Sequence, residues 1–259
     1  MMFATLNEAT LHYRFRAGQG RAVVFLDSLG TDFRIWDAVI AQLPAKTPVL
    51  CIDKRGHGLS DGNDITMPNL VGDVAALMDH TGLTSALICG VSVGGLIAQG
   101  LATTRPDLVS GLVLCCTGAK IGDADMWNTR IAAVQTDGIG AMAPAILERW
   151  FSAQFRAEQP TALAIYRNML TRTPADGYAA VCAALRDTDS TAATRTITVP
   201  THCIAGSADL STPPDLVRAL SALIQGATFE VIADCGHLPC IEAPKTVAQA
   251  INAVHKRIQ

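Results

Sequence analysis

The stretch Gly90-Val91-Ser92-Val93-Gly94 decides how this sequence is expected to fold, and it marks the expected place of its chemistry. An apolar run at residues 86–89 precedes it, and a helix-like run at residues 95–99 follows it. A serine with glycine at both second neighbours, where a strand turns into a helix, predicts a strained turn that exposes the serine hydroxyl as a nucleophile. A Gly/Ser loop in an ordinary strand–helix unit is the alternative interpretation.

Most of the chain alternates short apolar runs with helical patterns. Strands are predicted at residues 11–15, 22–27, 48–53, 86–89, 112–115, 202–205 and 229–232. Helices are predicted at residues 34–43, 69–80, 93–103, 215–223 and 245–257. This alternation favours an α/β fold, in which helices cover both faces of a mostly parallel sheet.

Between residues 118 and 198 the strand pattern stops and only helical patterns remain. They occupy residues 125–136, 140–151, 161–171 and 177–185. We therefore predict a core formed by residues 1–117 and 199–259, with residues 118–198 inserted as a helical cap. Because the insertion follows a strand, it would lie over the edge of the sheet where ligands bind in such folds. Helices packed away from any site are the alternative.

The composition restricts the classes of partner. The chain has 259 residues, of which 49% are hydrophobic and 17% charged, and its formal net charge is −3. These values are typical of a globular domain, and without a run of basic residues nucleic acid is not an expected partner. The first residues do not resemble a secretory signal, and no apolar run reaches the ~18 residues that cross a bilayer. We therefore expect no membrane partner and a cytoplasmic location.

Eight cysteines are present, and four of them lie in predicted buried strands: Cys51, Cys89, Cys115 and Cys203. A cysteine in that setting behaves as a small hydrophobic residue. No pair of cysteines, and no cysteine with a histidine, has the spacing of a zinc site. We therefore expect reduced thiols and no metal.

A serine nucleophile needs a base that accepts its proton and an acid that orients the base. In chain order, the acid and then the histidine follow such a serine. His237 is the predicted base, because it lies in a loop directly after the last predicted strand, where functional side chains concentrate. His202 lies within a predicted strand and His255 within the terminal helix, so both are expected to be structural.

Asp209 is the predicted acid, because it is the first carboxylate after the strand at residues 202–205. Two other aspartates are its rivals. Asp215 is expected to open the next helix, where a negative charge is favourable, and Asp234 precedes the histidine by three residues on the same loop.

Two backbone N–H groups are expected to bind the oxyanion of a tetrahedral intermediate. One is the N–H of Val93, directly after the nucleophile at the start of a helix. The other is the N–H of Leu29, in the loop after the strand at residues 22–27. Such donors stabilise the transition state because negative charge develops at the oxygen that they face.

Further motifs establish a resemblance to a known family. The stretch Asp53-Lys54-Arg55-Gly56-His57-Gly58-Leu59-Ser60-Asp61 resembles the D-x-R-G-x-G-x-S signature of α/β-hydrolases, and its expected role is structural. Ser28-Leu29-Gly30-Thr31-Asp32, followed by Trp36-Asp37, is similar to the N-S-L-G-T-D motif of 3-oxoadipate enol-lactonases. The similarity extends over nearly the whole chain.

The resemblance implies an α/β-hydrolase fold and a serine hydrolase that opens 3-oxoadipate enol-lactone during the degradation of aromatic compounds. The implied substrate is a small anionic lactone, and the implied mechanism needs no metal or organic cofactor. Such a substrate fits an apolar pocket with one or two cations. Trp127 and Arg130 lie three residues apart on a predicted helix and can share a face. We therefore predict that Trp127 forms a pocket wall and Arg130 binds the carboxylate, with Arg149 and Arg156 as alternatives.

The sequence departs from the family pattern at several positions. Asp27 stands where asparagine is expected, and Val91, Val93 and Leu238-Pro239 also differ. A carboxylate near the oxyanion loop could raise nearby pKa values or disfavour an anionic substrate. Another α/β-hydrolase activity therefore stays open, such as a carboxylesterase, a carbon–carbon bond hydrolase or a perhydrolase. A ligand receptor that retains the fold also stays open.

Overall fold

The computed structural model describes residues 2–258. Its eight strands form one sheet in the order β1-β2-β4-β3-β5-β6-β7-β8. They are β1 (Met2–Leu6), β2 (Ala9–Arg16), β3 (Val23–Leu26), β4 (Val49–Ile52), β5 (Ala86–Val91), β6 (Val109–Cys115), β7 (Thr201–Gly206) and β8 (Thr228–Ile232). The pairs β1–β2 and β2–β4 are antiparallel, whereas all other neighbouring strands are parallel. The expectation of a mostly parallel α/β sheet is confirmed.

Helices flank this sheet. They are α1 (Asp37–Ile40), α2 (Met67–His80), α3 (Val93–Thr104), α4 (Ala124–Trp150), α5 (Ala153–Glu158), α6 (Pro160–Thr171), α7 (Ala175–Arg186), α8 (Thr191–Thr194), α9 (Pro214–Leu223), α10 (Pro239–Glu242) and α11 (Pro244–Arg257). Helix α3 packs on β3, β5 and β6, and α11 packs on β5, β6 and β7. The central strands β3, β4, β5 and β6 are buried along their whole length, because both of their faces are covered. Among residues 2–258, no helix is both long and apolar enough to cross a membrane.

Two elements differ from the sequence-based expectation. Strand β1 is not predicted from the sequence, because MFATL does not alternate regularly between apolar and polar residues. It is an edge strand in which Ala4 is the one buried side chain. The helix predicted at residues 34–43 is confirmed only in part: a 3-10 helix at Phe33–Trp36 leads into the single-turn helix α1, and residues 41–43 are not helical. Pro44 and Pro48 follow, and proline cannot extend a helix without removing a hydrogen bond.

The segment between β6 and β7 lies wholly within the described residues and contains the five helices α4–α8 and no strand. Helix α4 is interrupted at Gly138, whose φ of 75° and ψ of 163° are not helical, and it contacts both α6 and α7. At its end, the Trp150 carbonyl accepts a 2.8 Å hydrogen bond from the backbone N–H of His237. This helical segment therefore contacts the loop that follows β8.

Candidate active site

Ser92 lies at the turn between β5 and α3. Its φ of 59° and ψ of −120° place it in the left-handed half of conformational space, where a residue with a side chain is strained. A Cβ atom at Gly90 would collide with the backbone of Gly94, and one at Gly94 would collide with the carbonyl of Leu26. Both flanking glycines are therefore required by close backbone contacts, as the G-x-S-x-G spacing indicates.

Asp209 and His237 form a buried hydrogen-bonded pair, with Asp209 Oδ2 2.8 Å from His237 Nδ1. The other carboxylate oxygen, Oδ1, accepts hydrogen bonds from the N–H groups of Ser211 and Thr212 at 2.7 and 3.0 Å. The Thr212 hydroxyl donates to Oδ2 at 2.6 Å. Burial acts to raise the pKa of Asp209, but the charge and hydrogen bond of His237 and the Thr212 hydrogen bonds outweigh it, so the pKa is lowered. Asp209 is therefore ionised at neutral pH, and its carboxylate accepts a hydrogen bond from the protonated Nδ1 of His237.

The rival aspartates occupy other positions. Asp215 lies in the first turn of α9, where a carboxylate interacts favourably with the helix dipole. Asp234 is exposed after β8, and its backbone N–H bonds to Ser207 Oγ at 2.9 Å. Among the three aspartates considered from the sequence, Asp209 is the one whose carboxylate contacts the imidazole of His237.

His237 and Ser92 line the same cavity. Because Nδ1 faces Asp209, the opposite ring nitrogen, Nε2, is the one available to the cavity. The other two histidines considered from the sequence are elsewhere. His202 Nδ1 lies 2.7 Å from the Thr228 hydroxyl, and His255 is part of α11.

The loop after β3 contributes to the same cavity through Ser28 and Leu29. Its N–H groups at positions 28, 30 and 31 are bonded to Thr31 Oγ1, His57 Nε2 and the Ser28 carbonyl, respectively. Within residues 2–258, the N–H of Leu29 has no hydrogen-bond acceptor. Val93 is the first residue of α3, and the first N–H groups of a helix have no acceptor within the helix. Both N–H groups predicted to bind an oxyanion are therefore free to do so.

His57 bonds to the loop after β3 through its imidazole ring. Its Nε2 accepts the 2.9 Å hydrogen bond from Gly30, and its Nδ1 lies 3.3 Å from the Arg55 carbonyl. Burial, together with the nearby charge of Lys54, lowers the pKa of His57 well below its usual value. A neutral ring with its proton on Nδ1 satisfies both contacts. The role of this histidine in the D-x-R-G-x-G-x-S motif is thus structural.

Lys54 is a charged residue of this region that the sequence analysis did not single out. Its ammonium group is buried and bonds to Asp27 Oδ2 and to the Ser28 carbonyl, both at 2.5 Å. Burial raises the pKa of Asp27 to about 7 and lowers the pKa of Lys54, while the attraction between the two opposes each change. The two residues come together because they follow β3 and β4, which are paired in parallel with Leu26 opposite Ile52.

The cavity wall contains Trp127 and Arg130, both from α4. The Arg130 guanidinium lies 5.4 Å from the centre of the Trp127 ring, a cation–π distance. Trp127 Nε1 donates to the Ile121 carbonyl at 2.7 Å. The two residues predicted to bind the substrate therefore share one face of α4 and lie at the cavity.

Arg149 and Arg156, the alternative cations, differ in position. Arg149 lines the cavity, with its Nη2 donating to the Leu210 carbonyl at 2.7 Å and its buried Nε without a partner among the described residues. Arg156 bonds to the carbonyls of Glu148 and Phe151 and is not part of the cavity wall.

The cavity also contains Tyr178, whose buried hydroxyl has no partner within residues 2–258. The sequence does not identify Tyr178 as a site residue, because an isolated tyrosine in a helix gives no signal of its surroundings.

Cys116, Asp209 and His237 form a cluster of potential metal ligands, with ligand atoms within 4.8 Å of one another. Burial, followed by the charge of Asp209, raises the pKa of the Cys116 thiol well above its usual value. Within this cluster, Nδ1 of the imidazole and Oδ2 of the carboxylate already bond to each other at 2.8 Å.

Comparisons with known proteins agree with this architecture. The family model described as "Alpha/beta hydrolase family" matches residues 23–250. Two Acinetobacter baylyi proteins, 3-oxoadipate enol-lactonase 2 and 3-oxoadipate enol-lactonase 1, are 33% and 36% identical to the chain. The alignments cover 98% and 92% of this chain and 96% and 90% of those proteins.

A solved structure, that of the enol-lactonase from Burkholderia xenovorans, is similar with a TM-score of 0.95 and 34% sequence identity. The match covers 98% of this chain and 100% of the other. The agreement therefore includes the sheet and the helical segment between β6 and β7. The chain belongs to the alpha/beta hydrolase family, and it is a hydrolase enzyme.

Proposed function

We propose that this hydrolase opens 3-oxoadipate enol-lactone to 3-oxoadipate with Ser92, His237 and Asp209 as its catalytic triad. One observation carries the proposal: a single cavity contains Ser92, His237 and two arginines. A nucleophile and base explain hydrolysis, and the cations explain preference for an anionic substrate. The similarity to enol-lactonases over nearly the whole chain supports the same substrate class.

In the proposed first half-reaction, Ser92 Oγ attacks the lactone carbonyl carbon while His237 Nε2 takes the hydroxyl proton. Asp209 stabilises the resulting imidazolium and keeps the proton of Nδ1 in place. The carbonyl oxygen becomes an oxyanion that accepts hydrogen bonds from the N–H groups of Leu29 and Val93. Collapse of this intermediate breaks the ring C–O bond, and the enol oxygen takes the proton from His237.

In the second half-reaction, His237 removes a proton from water, which attacks the acyl carbon bound to Ser92. The second tetrahedral intermediate collapses, the ester bond to Ser92 breaks, and the serine oxygen recovers its proton from the imidazolium. The released enol becomes a ketone. Overall, one water molecule is consumed and one dicarboxylate is produced, so the mechanism requires no cofactor.

The proposed substrate site lies in the helical segment. Arg130 binds the substrate carboxylate, Trp127 forms an apolar wall, and Arg149 supplies a second positive charge at the same cavity. Residues 118–198 act as a cap over the core formed by residues 1–117 and 199–259. The contact between the end of α4 and the loop that carries His237 supports this role.

The proposal also places the enzyme in the degradation of aromatic compounds, in the cytoplasm. All eight cysteines are free and buried, which is compatible with a reducing compartment.

The direct test is ultraviolet monitoring of enol-lactone loss by the wild-type enzyme and by Ser92→Ala, next to a panel of simple esters. We expect turnover of the lactone that exceeds turnover of the esters and that disappears in the variant. Equal or faster hydrolysis of plain esters would assign the enzyme to a different carboxylic-ester substrate. Lactone turnover that survives in Ser92→Ala would overturn the triad.

A further inference from the structure

The peptide between Ser28 and Leu29 connects a buried charge to the proposed oxyanion hole. Its carbonyl oxygen accepts a hydrogen bond from Lys54 Nζ at 2.5 Å and another from Thr31 Oγ1 at 3.0 Å. Because a trans peptide is planar, its N–H points away from its C=O. The N–H of Leu29 therefore points away from Lys54, on the opposite side of the peptide. Leu29 lines the cavity together with Ser92.

We propose that Lys54 is a positioning residue of the oxyanion hole, whose ammonium group fixes and polarises the Ser28–Leu29 peptide so that the Leu29 N–H is a stronger donor. The inference rests on the proposed attack by Ser92, and it goes beyond the triad and the two backbone donors. It assigns a role in catalysis to a buried ion pair that contacts neither the nucleophile nor the base.

Lys54 and Asp27 are both buried. The Lys54 side chain is 4% exposed and that of Asp27 is 2% exposed, so both charges act in a medium of low dielectric, where hydrogen bonds polarise one another more strongly than in water. A charged donor on a carbonyl makes a shorter and stronger hydrogen bond than a neutral one. Withdrawal of electron density at the oxygen increases the positive partial charge on the N–H of the same peptide.

The charged groups around Lys54 keep this arrangement intact. Asp27 is its direct partner, and Asp53 and Asp32 add further negative charge nearby. His57, which faces the ammonium from the next turn, is kept neutral by burial and by the charge of Lys54. The three aspartates therefore oppose the effect of burial on the pKa of Lys54, whose Nζ donates to both the Ser28 carbonyl and Asp27.

If the Lys54–Asp27 pair were purely structural, its removal should have the same effects as removal of Arg55–Asp73, the other buried ion pair of the region. Arg55 bonds to both oxygens of Asp73, at 2.6 and 2.8 Å, and its remaining donors bond to the carbonyls of Asn7 and Asn63. None of these partners lines the cavity of Ser92. Loss of the Arg55–Asp73 pair should therefore reduce stability without changing the oxyanion hole.

The test uses the double variants Asp27→Asn/Lys54→Met and Asp27→Asn/Lys54→Gln, because removal of both charges leaves no lone charge in the core. Arg55→Met/Asp73→Asn, which also removes both charges of a buried pair, is the matched control. Three quantities are measured for each protein: kcat and KM for p-nitrophenyl acetate, the inhibition constant of phenylboronic acid, which forms a tetrahedral adduct with a catalytic serine, and Tm. Ser92→Ala gives the rate of ester hydrolysis in the absence of the proposed nucleophile.

For the methionine double variant we expect kcat to fall about tenfold, less than the loss of an entire oxyanion donor, with KM nearly unchanged. Phenylboronic acid should bind more weakly by a similar factor. For the glutamine double variant, kcat and the affinity for phenylboronic acid should lie between those of the methionine double variant and the wild type, because glutamine donates a neutral hydrogen bond. Arg55→Met/Asp73→Asn should lower Tm and leave kcat and the boronate inhibition constant unchanged.

Wild-type kcat and boronate binding in either folded double variant would overturn the role of Lys54. The two double variants differ in side-chain polarity, so the glutamine variant decides the matter if the methionine variant does not fold. A wild-type enzyme that hydrolyses p-nitrophenyl acetate but not the enol-lactone would refute the proposed substrate, while the comparison at Lys54 would still be decisive.

Discussion

At the scale of single residues, the contact between Asp209 and His237 separates the proposed acid from its rivals. Asp209 is 3% exposed and receives hydrogen bonds from Thr212, Ser211 and His237. An amide at this position would present a donor to Nδ1 and so favour the wrong tautomer of the imidazole. The identity of the acid is therefore testable by isosteric substitution at each aspartate.

We expect Asp209→Asn to lower kcat about 10³- to 10⁴-fold, because a neutral amide neither fixes the tautomer nor stabilises the imidazolium. Asp215→Asn and Asp234→Asn are matched controls and should retain nearly full kcat. The measurement is ester or lactone hydrolysis with each folded variant, checked by circular dichroism. A large loss in Asp215→Asn or Asp234→Asn, with activity preserved in Asp209→Asn, would reassign the acid.

Arg130 is the residue whose substitution tests the charge of the substrate. We expect Arg130→Met to raise KM for the enol-lactone about 10- to 100-fold, since one charge-assisted hydrogen bond to the carboxylate is lost. KM for p-nitrophenyl acetate, which is neutral, should stay nearly constant. Steady-state kinetics with both substrates make the comparison.

The control for Arg130 is Arg156→Met, because Arg156 caps the carbonyls of Glu148 and Phe151 outside the cavity. This variant should change neither KM. An equal increase of KM for the charged and the neutral substrate in Arg130→Met would show that Arg130 shapes the pocket rather than recognises a carboxylate.

At the scale of elements, the structure shows which sequence patterns are sufficient for prediction and which are not. The predicted strands at residues 202–205 and 229–232 correspond to β7 and β8. The apolar residues of β7 are buried, as is typical of a parallel strand, whereas β8 is an exposed edge strand that contains Glu230. The location of the site follows from the topology of the sheet. Ser92, Asp209 and His237 lie in the segments that follow β5, β7 and β8, and the carboxyl ends of parallel strands lie at one edge of a sheet.

Other features of the site depend on contacts between distant parts of the chain. Tyr178 and Arg149 meet at the cavity only because α4 and α7 pack against each other. Lys54 acquires its contact with the oxyanion loop from the pairing of β3 and β4. No local periodicity encodes such contacts, so the sequence predicted Arg130 from helical spacing but did not select Tyr178 or Lys54.

The break in α4 gives a prediction at this scale. Gly138 has a positive φ of 75°, in a region that is nearly exclusive to glycine, but no atom lies within 4 Å of a Cβ placed there. Gly138→Ala should therefore lower the free energy of unfolding by about 1–3 kcal/mol through backbone strain alone. Urea unfolding monitored by circular dichroism gives the value.

Gly140 provides the matched control, because it lies two residues away in the helical part of α4 and also has open space around a Cβ. Gly140→Ala should stabilise the protein by up to about 1 kcal/mol, since alanine loses less backbone entropy in a helix. Equal effects of the two substitutions would mean that the helix is continuous through residue 138.

At the scale of the whole molecule, the cysteines report on the integrity of the fold. All eight are free and buried, and they are distributed over the sheet, the helical segment and the loops around the site. Burial raises the pKa of Cys51, Cys182 and Cys203 to about 12. A thiol with a raised pKa remains protonated at pH 8, and only the thiolate reacts with disulfide reagents.

We therefore expect no cysteine of the native protein to react rapidly with Ellman's reagent at pH 8, whereas all eight should react once guanidinium chloride has unfolded the chain. Because no disulfide contributes to stability, Tm should be the same with and without a reducing agent.

Cys182 lies in α7, so its reactivity relative to Cys51 in β4 distinguishes local opening of the helical segment from opening of the sheet. Selective labelling of Cys182, identified by peptide mass spectrometry, would indicate that the helices open while the core stays folded. Labelling of both cysteines at one rate, equal to the rate of global unfolding, would indicate that helical segment and core unfold together.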